Sequence, residues 1–454
     1  MLPEDVRRLE RLSVILGRPG VDRITLNILS AEAAEVQVEY GAAAQGPSRA
    51  TPWVPLEAGV PREVELTGLS PLSSQVYRLR SRVAGSTELH THALQRFQTQ
   101  RLPGQAFTFA LQGDSHPERG HQFDAGLYAQ TLRAVQAKAP DFYLTLGDDF
   151  SVDTLKEVNA ATVTGRYQLQ RPFLALVGQS APLFLVNGNH EQAAQANLDG
   201  SPNNVAVWAQ NARNRFYPQP APDGFYSGNT DPVPHIGLLR NYFAWTWGDA
   251  LFVVIDPYWH SAQAVDNSMG TRDKKQGRDL WNNTLGDAQY RWLRATLEGS
   301  QARFKFVFAH HVLGTGRGGV GMASQAEWGG RDRQGRQLFS EKRPGWPEPI
   351  HTLMARTGVT IFFQGHDHVF ARETLDGVTY QTVPEPADPN YALYFAEAYA
   401  GADVLPNSGH LSVSVTSDKV RVEYHRSWLP KDMATAPGET LSPAFSYELP
   451  VNRR

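Results

Sequence analysis

Residues 362–370 read FFQGHDHVF. The apolar start has the composition of a buried strand, yet the chain then presents His366, Asp367 and His368 in a row. Imidazoles spaced i, i+2 leave a strand on the same side and can be aimed at neighbouring points. Four other polar clusters stand at the ends of apolar runs: GDSH (113–116), GDD (147–149), GNHE (188–191) and AHH (309–311). The runs, FTFALQ, DFYLTLG, PLFLVNG, ALFVVID, KFVFAH and VTIFFQG, alternate with helix-like segments such as GLYAQTLRAVQAK and DAQYRWLRATLEG. Near-continuous apolar runs alternating with helices imply strands buried on both faces, an α/β layered domain. In such sheets the carboxyl ends of the strands form the ligand crevice, so the clusters are expected to converge there.

Outward from that core, the first hundred residues change period. RITLNILS, EVQVEYG, REVELTGLS and VYRLRSRV alternate apolar and polar residues between Gly, Pro and Ser punctuation, as a β-sandwich does. QTQRLPGQA, broken by Pro103 and Gly104, reads as the linker. The expected organisation is a sandwich over 1–103 and a catalytic domain over 104–454, closed by a hairpin in LSVSVTSDKVRVEYHR. Segments 192–245 and 313–349 lack regular pattern and read as long loops, of the kind that form functional lids.

At 454 residues, two domains are expected. A net charge of -3 offers no electrostatic footprint for nucleic acid, and no apolar run is long enough for a membrane span. There is no cysteine, so disulfides, thiolate zinc sites and thiol nucleophiles are excluded. Any metal must sit on nitrogen and oxygen. The start, MLPEDVRRLE, is unlike a signal peptide. The sandwich and the missing cysteines lean toward an exported protein, periplasmic or extracellular, shown without its leader.

The clusters suit a pair of ions better than one. Two dications about 3.5–4 Å apart need an anion between them, and a carboxylate can bridge both. Asp148, at a strand end after Gly147, is the candidate. With Asp114 and Asp148 the only anionic ligands, two divalent ions leave an excess of roughly +2, suited to phosphate. A bridging water would lose a proton near neutrality and serve as nucleophile.

In order and spacing the five blocks resemble the calcineurin-like metallophosphoesterase superfamily, with its D-x-H, G-D, G-N-H-[D/E], H and G-H-x-H pattern. The resemblance implies a four-layer α/β/β/α sandwich. Leu69, Pro71 and Tyr77 resemble a fibronectin type III signature, and the combination resembles the purple acid phosphatase branch. Carried over, the resemblance implies one metal on Asp114, His116, Asp148 and His368, and another on Asp148, Asn189, His310 and His366. It implies that His190 contacts substrate and protonates the leaving oxygen, helped by Glu191. Asp149 serves either as a helix cap for FSVDTLKEV or as support behind the ligands. Glu191 also suits the first turn of a helix. Two departures stand out: purple acid phosphatases have Gly where His116 stands, and Tyr where Ser151 stands.

The expected activity is that of a metal-dependent phosphoric ester hydrolase acting on phosphomonoesters. A phosphodiesterase of the same fold and a non-catalytic surface binding protein are the alternatives. Generic N/O ligands favour Mn or Fe, with Zn second and Mg possible. Arg317, in the Gly- and Arg-rich segment after His311, is expected either to hold phosphate oxygens or to be solvated. Trp328 is expected to wall the leaving-group side. His235, His260 and His410 read as surface or core-edge residues, with His410 near the crevice.

Overall fold

The structure is a computed structural model that describes residues 2–263, 265, 279–312, 316–399, 401–433 and 442–451. Two sheets form its centre. In the six-stranded sheet, Leu183–Leu185, Phe142–Thr145 and Phe107–Gln112 run parallel. Gly409–Val415, Lys419–Arg426 and Phe445–Pro450 continue it antiparallel, the first two as the expected hairpin. In the eight-stranded sheet, Ala250–Val254, Phe304–Phe308, Ile361–Gln364 and Val378–Thr382 form the parallel middle.

Side-chain parity explains the layers. Phe107, Phe109, Phe142, Leu144, Phe306, Phe308, Ile361 and Phe363 all enter one core between the sheets. Their rings pack edge-on and offset, as Phe109 does on Phe252 (5.2 Å between centroids, 84°) and Phe308 on Phe363 (5.2 Å, 7°). Intervening residues point outward. Ala110 and Tyr143 meet helices α2 (Ala125–Ala137) and α3 (Ala160–Gly178), while Val307 and Phe362 meet α5 (Gly286–Gly299) and the helix Ile350–Thr357. The result is the expected α/β/β/α sandwich.

In front of it, Leu12–Gly17, Ile24–Ser30 and Arg62–Leu66 form one small sheet, and Ala34–Ala42 with Ser74–Val83 centre the other. This all-β part is fastened firmly to the catalytic layers. Helix α1 (Glu4–Arg11) buries Val6 and Leu9 in the α2–α3 core, and Ile15 of the small sheet joins the same core. Arg171 of α3 is fully buried and donates to Ser13 Oγ (2.9 Å), Asn27 Oδ1 (2.8 Å) and Asn27 O (2.8 Å), and to the Phe216 carbonyl. Tyr77, from the fibronectin-like signature, is buried and donates from its hydroxyl to Gln179 O (2.7 Å).

Both segments that look like long loops are more ordered than their composition suggests. The first contains α4 (Val205–Phe216), capped by Asn204. The second contains the short helices Val320–Ala323, Ala326–Gly329 and Phe339–Lys342. Residues 314 and 315, which open the Gly-rich stretch, lie outside the described residues. Trp328 is a correction: it is fully buried, packs against Phe362 (5.0 Å) and donates from Nε1 to the Tyr380 hydroxyl (2.9 Å). It belongs to the core outside the eight-stranded sheet and walls nothing in the crevice.

Candidate metal centre

Each cluster sits on the loop after a parallel strand, and the loops meet at one end of the two sheets. The turns are tight. Gly147 has φ +88°, and a Cβ there would come within 2.5 Å of Gly188 N. A Cβ at Gly188 would fall 2.2 Å from Asp148 Oδ1. The glycines therefore let the GDD and GNHE loops touch. Four residues of these loops, His116, Asp148, His366 and His368, hold left-handed backbone conformations, which gathers strain where the loops converge.

At the meeting point, Asp148 Oδ2 lies 3.0 Å from His310 Nε2, which lies 3.1 Å from His366 Nδ1. Asp114 Oδ2 lies 3.1 Å from His368 Nε2 and 3.9 Å from both His116 Nε2 and His310 Nε2. Asp114, Asp148, His310 and His366 each bring one ligating atom within 4.8 Å of the others, as do Asp114, His116 and His368. Asn189 is buried on the adjoining loop. All seven residues expected to ligate metal are thus gathered in one buried region.

The far side of each ring fixes what its near side offers. His310 Nδ1 bonds the Leu146 carbonyl (2.8 Å), so this nitrogen carries hydrogen and Nε2 turns a lone pair inward. His368 Nδ1 faces Glu385 Oε2 (2.6 Å), and His116 Nδ1 faces Glu118 Oε1 (3.2 Å), with the same consequence. His116 Nε2 is buried without a hydrogen-bond partner. The lone pairs of His310 Nε2 and His368 Nε2 lie about 3 Å from the oxygens of Asp148 and Asp114 and repel them unless positive charge lies between. Burial alone would lower the histidine pKa values, but Asp148 and Asp114 push His310 up to about 9, and Glu385 with Asp114 pushes His368 up to about 10. The donor set therefore fits divalent cations.

Other expected residues lie around this centre. His190 donates its backbone N–H to Asp148 Oδ1 (2.8 Å), and its Nδ1 faces Asp153 Oδ1 at 2.6 Å. Its Nε2 lies 3.8 Å from Asp148 Oδ2 and 2.9 Å from Arg119 Nη2. Arg317 stands at the rim, donating from Nη1 to the His366 carbonyl (2.6 Å) and Asp367 Oδ1 (2.9 Å). His311 is set back: it bonds the Tyr258 hydroxyl through Nδ1 (2.7 Å) and stacks on His366 at 3.9 Å.

The two carboxylates expected to support the ligands are buried behind the loops that carry them. Glu191 accepts from Gly188 N (2.8 Å) and Asp149 N (3.0 Å), stapling the GNHE and GDD loops together. No helix starts there, and both Glu191 oxygens accept from backbone N–H groups. Asp149 caps no helix, since residues 150–158 are not helical; its Oδ2 accepts from Thr145 Oγ1 (2.8 Å). Burial raises Asp149 to about 7 and, with Asp148 and Asp149 nearby, raises Glu191 well above its usual range. His410 is buried on its strand, stacked on His425 at 5.4 Å.

Glu118, Arg119, Asp153 and Glu385 are the residues the sequence reading missed. Glu118 and Asp153 sit two residues after His116 and five after Asp148, near enough to the blocks to have been weighed. Glu385 obeys the rule that marked the five clusters, a polar residue just past a parallel strand. That strand, VTYQT, buries polar side chains and so never looks apolar.

Residues 107–370 match the calcineurin-like phosphoesterase family. Among solved structures the fold is similar to that of PhoD, with a TM-score of 0.67 at 15% identity, covering 97% of this chain and 90% of that one. Weaker likenesses include GAP50, the anchor in the inner membrane complex of Plasmodium (TM-score 0.40, 10% identity, 77% and 90% covered). Another is the phosphopantetheinyl hydrolase PptH of Mycobacterium tuberculosis (TM-score 0.31, 15% identity, 62% and 91% covered). No curated protein sequence matches the chain.

Proposed function

This chain belongs to the calcineurin-like phosphoesterase family, and from that premise we propose that it is a dinuclear, metal-dependent phosphomonoesterase. The observation that carries the proposal is the buried cluster in which His310 Nε2 lies about 3 Å from both Asp148 Oδ2 and His366 Nδ1, with Asp114 bringing a ligating atom within 4.8 Å of the others. We assign Asp114, His116, Asp148 and His368 to one ion and Asp148, Asn189, His310 and His366 to the other, with Mn or Fe favoured, Zn second and Mg possible. Ions held there would supply Lewis-acid charge to the phosphate and acidify water.

The protein's own groups do the rest. His190 takes a proton from solvent at Nε2, with Asp153 accepting from Nδ1–H and steadying the charged ring, and then passes that Nε2 proton to the leaving oxygen, returning to the neutral form. Arg119 must first leave Nε2, and an incoming phosphate gives its guanidinium a stronger acceptor. Both hydrogen bonds of Arg317 use Nη1, so the rest of its planar fork can meet non-bridging oxygens from the His366 side. Asp149 and Glu191 act behind the ligands.

The all-β front supports the likeness to the purple acid phosphatase branch, but the iron chemistry of that branch does not carry over. Ser151 replaces its tyrosine, and the Tyr143 hydroxyl is tied to Gln112 Oε1 at 2.8 Å. We keep 1–103 as the fibronectin-like domain and 104–454 as the catalytic one. We place the protein outside the cytoplasm, acting on a phosphate ester and not on nucleic acid. Among the described residues no helix is long and apolar enough to cross a membrane.

The test is steady-state hydrolysis of an aryl phosphate beside the matching aryl diester, after reconstitution with each metal. Faster turnover of the monoester supports the proposal. Faster turnover of the diester replaces it with a phosphodiesterase, and hydrolysis of neither leaves a binding protein.

A further inference from the structure

With Trp328 in the core, the surface beside the metal ligands is aromatic for a different reason. The segment after Glu385 carries Tyr394 and Phe395 to the crevice, and both rings are half-buried. Tyr394 stands edge-on to the ligand His368, with centroids 6.0 Å apart and planes at 89°. Phe395 lies under the guanidinium of Arg317, whose Cζ is 3.9 Å from the ring centroid, while that guanidinium also bonds the His366 carbonyl. The two rings are 6.2 Å apart.

This surface is built, not incidental. Buried Asp388 accepts from the Asn390 backbone N–H (2.9 Å), Asn390 Nδ2 (2.6 Å), the Tyr394 hydroxyl (3.0 Å) and Asn407 Nδ2 (3.2 Å). One carboxylate thus fixes the loop and orients the Tyr394 ring. Phe395 itself holds φ 52°, ψ 26°, a left-handed conformation that a bulky side chain adopts only when its surroundings impose it. Asp367 is held from the other side by the Tyr399 hydroxyl (2.6 Å), so Arg317 is positioned at its base.

We propose that Tyr394 and Phe395 form the subsite for the organic group of the ester, and that it takes a flat aromatic or heteroaromatic group. The inference rests on the phosphatase reading for its reaction. Fixed half-exposed rings, one backed by a guanidinium, reward a planar partner that can stack, beyond what the buried area alone gives. An aliphatic ring of equal size gains only the area.

The experiment compares benzyl phosphate with cyclohexylmethyl phosphate, whose leaving groups are alike in size and basicity, on the metal-loaded full chain. The wild type is expected to favour benzyl by about tenfold in kcat/KM. Tyr394→Leu and Phe395→Leu should bring that ratio toward one, Tyr394→Phe should keep most of it, and the exposed Arg333→Ala should leave it alone. Calorimetric binding of benzylphosphonate against cyclohexylmethylphosphonate gives a second readout that needs no turnover. A wild-type ratio near one, with both esters hydrolysed, overturns the subsite and leaves the phosphatase standing. If neither ester is hydrolysed, the phosphatase reading fails and the phosphonates decide: a benzyl preference lost in the Leu variants supports the subsite, and equal affinities overturn it.

Discussion

Arg119 Nη2 lies 2.9 Å from His190 Nε2 and 2.9 Å from Ser151 Oγ, so the group expected to act as acid is held at rest by a cation. A guanidinium can only donate, so His190 Nε2 accepts and the ring hydrogen resides on Nδ1, toward Asp153. For His190 to donate a proton, the Arg119 contact has to break. A phosphate in the crevice is the acceptor that would draw Arg119 away.

Arg119→Ala is therefore expected to raise KM for a phosphomonoester by about tenfold or more, the cost of one charge-assisted hydrogen bond. Metal content should not change, because the Arg119 side chain bonds Ser151 and His190 and none of the residues assigned to metal, and its backbone bond to the His116 carbonyl survives the substitution. Steady-state kinetics under saturating metal, with metal analysis alongside, check this. An unchanged KM would remove Arg119 from substrate binding.

The same geometry separates acid from ligands. His190→Ala should keep both ions and lose about 10²–10⁴-fold in kcat on alkyl phosphates, but much less on nitrophenyl esters, whose leaving groups need no proton. Asp153→Asn should shift the rates in the same direction by less, since it weakens the support of the charged ring without removing the ring. Equal losses on both substrate types would show that His190 acts otherwise.

Adjacent carboxylates with opposite surroundings give a paired test. Asp148 Oδ2 faces His310 and is assigned to both ions, whereas Asp149 is turned back onto Thr145. Asp148→Asn should lose metal and activity together. Asp149→Asn should keep its metal and lose roughly tenfold or less, because an amide oxygen can still accept from Thr145. A fully loaded Asp148→Asn protein would falsify the bridging assignment.

How much of this could be read from sequence depended on what buries each residue. Strands such as Phe142–Thr145 and Phe304–Phe308 were legible because sheet on one side and helices on the other bury every position, so that apart from Thr145 and Lys305 they read as unbroken apolar runs. Helix α3 was not legible. Its second half, from Gln170 to Gly178, is buried all round, with Gln170, Arg171 and Pro172 inside, so it shows neither an apolar stripe nor a clean helical composition. Trp328 was misplaced because its glycine-rich neighbours describe a loop, and the short helix around it is set by packing on Phe362. The residues assigned as ligands were legible through spacing at strand ends. Glu118, Asp153 and Glu385 were not, since they act through the rings they hold and follow no fixed spacing.

Iron offers a spectroscopic check on the same loop. Ser151 Oγ lies 3.2 Å from His116 Nδ1, on the outer side of that ring, and the Tyr143 hydroxyl is committed to Gln112. Iron-loaded, oxidised protein should lack the intense visible band of a tyrosinate–ferric centre. A purple solution would mean that another tyrosine reaches the metal.

The last expectation concerns the join between sandwich and catalytic layers. Arg171 is a fully buried cation whose hydrogen-bonding partners are all neutral oxygens: the Ser13 hydroxyl, two oxygens of Asn27 and the Phe216 carbonyl. Burial pulls its guanidinium down to about 10. Such a group is costly to bury and more costly to delete, because its removal strands the oxygens it satisfied. Arg171→Ala should therefore destabilise the protein by about 3–5 kcal/mol, against about 1 kcal/mol for Ser13→Ala, which removes one acceptor. With α1 and Ile15 sharing a core with α2 and α3, the wild type should melt in a single transition. Arg171→Ala should lower Tm by several degrees and separate the melting of the sandwich from that of the metal-bound layers. Calorimetry on both variants with metal present decides it: an Arg171→Ala protein that melts in one transition at the wild-type temperature would show that the shared apolar core alone makes the join.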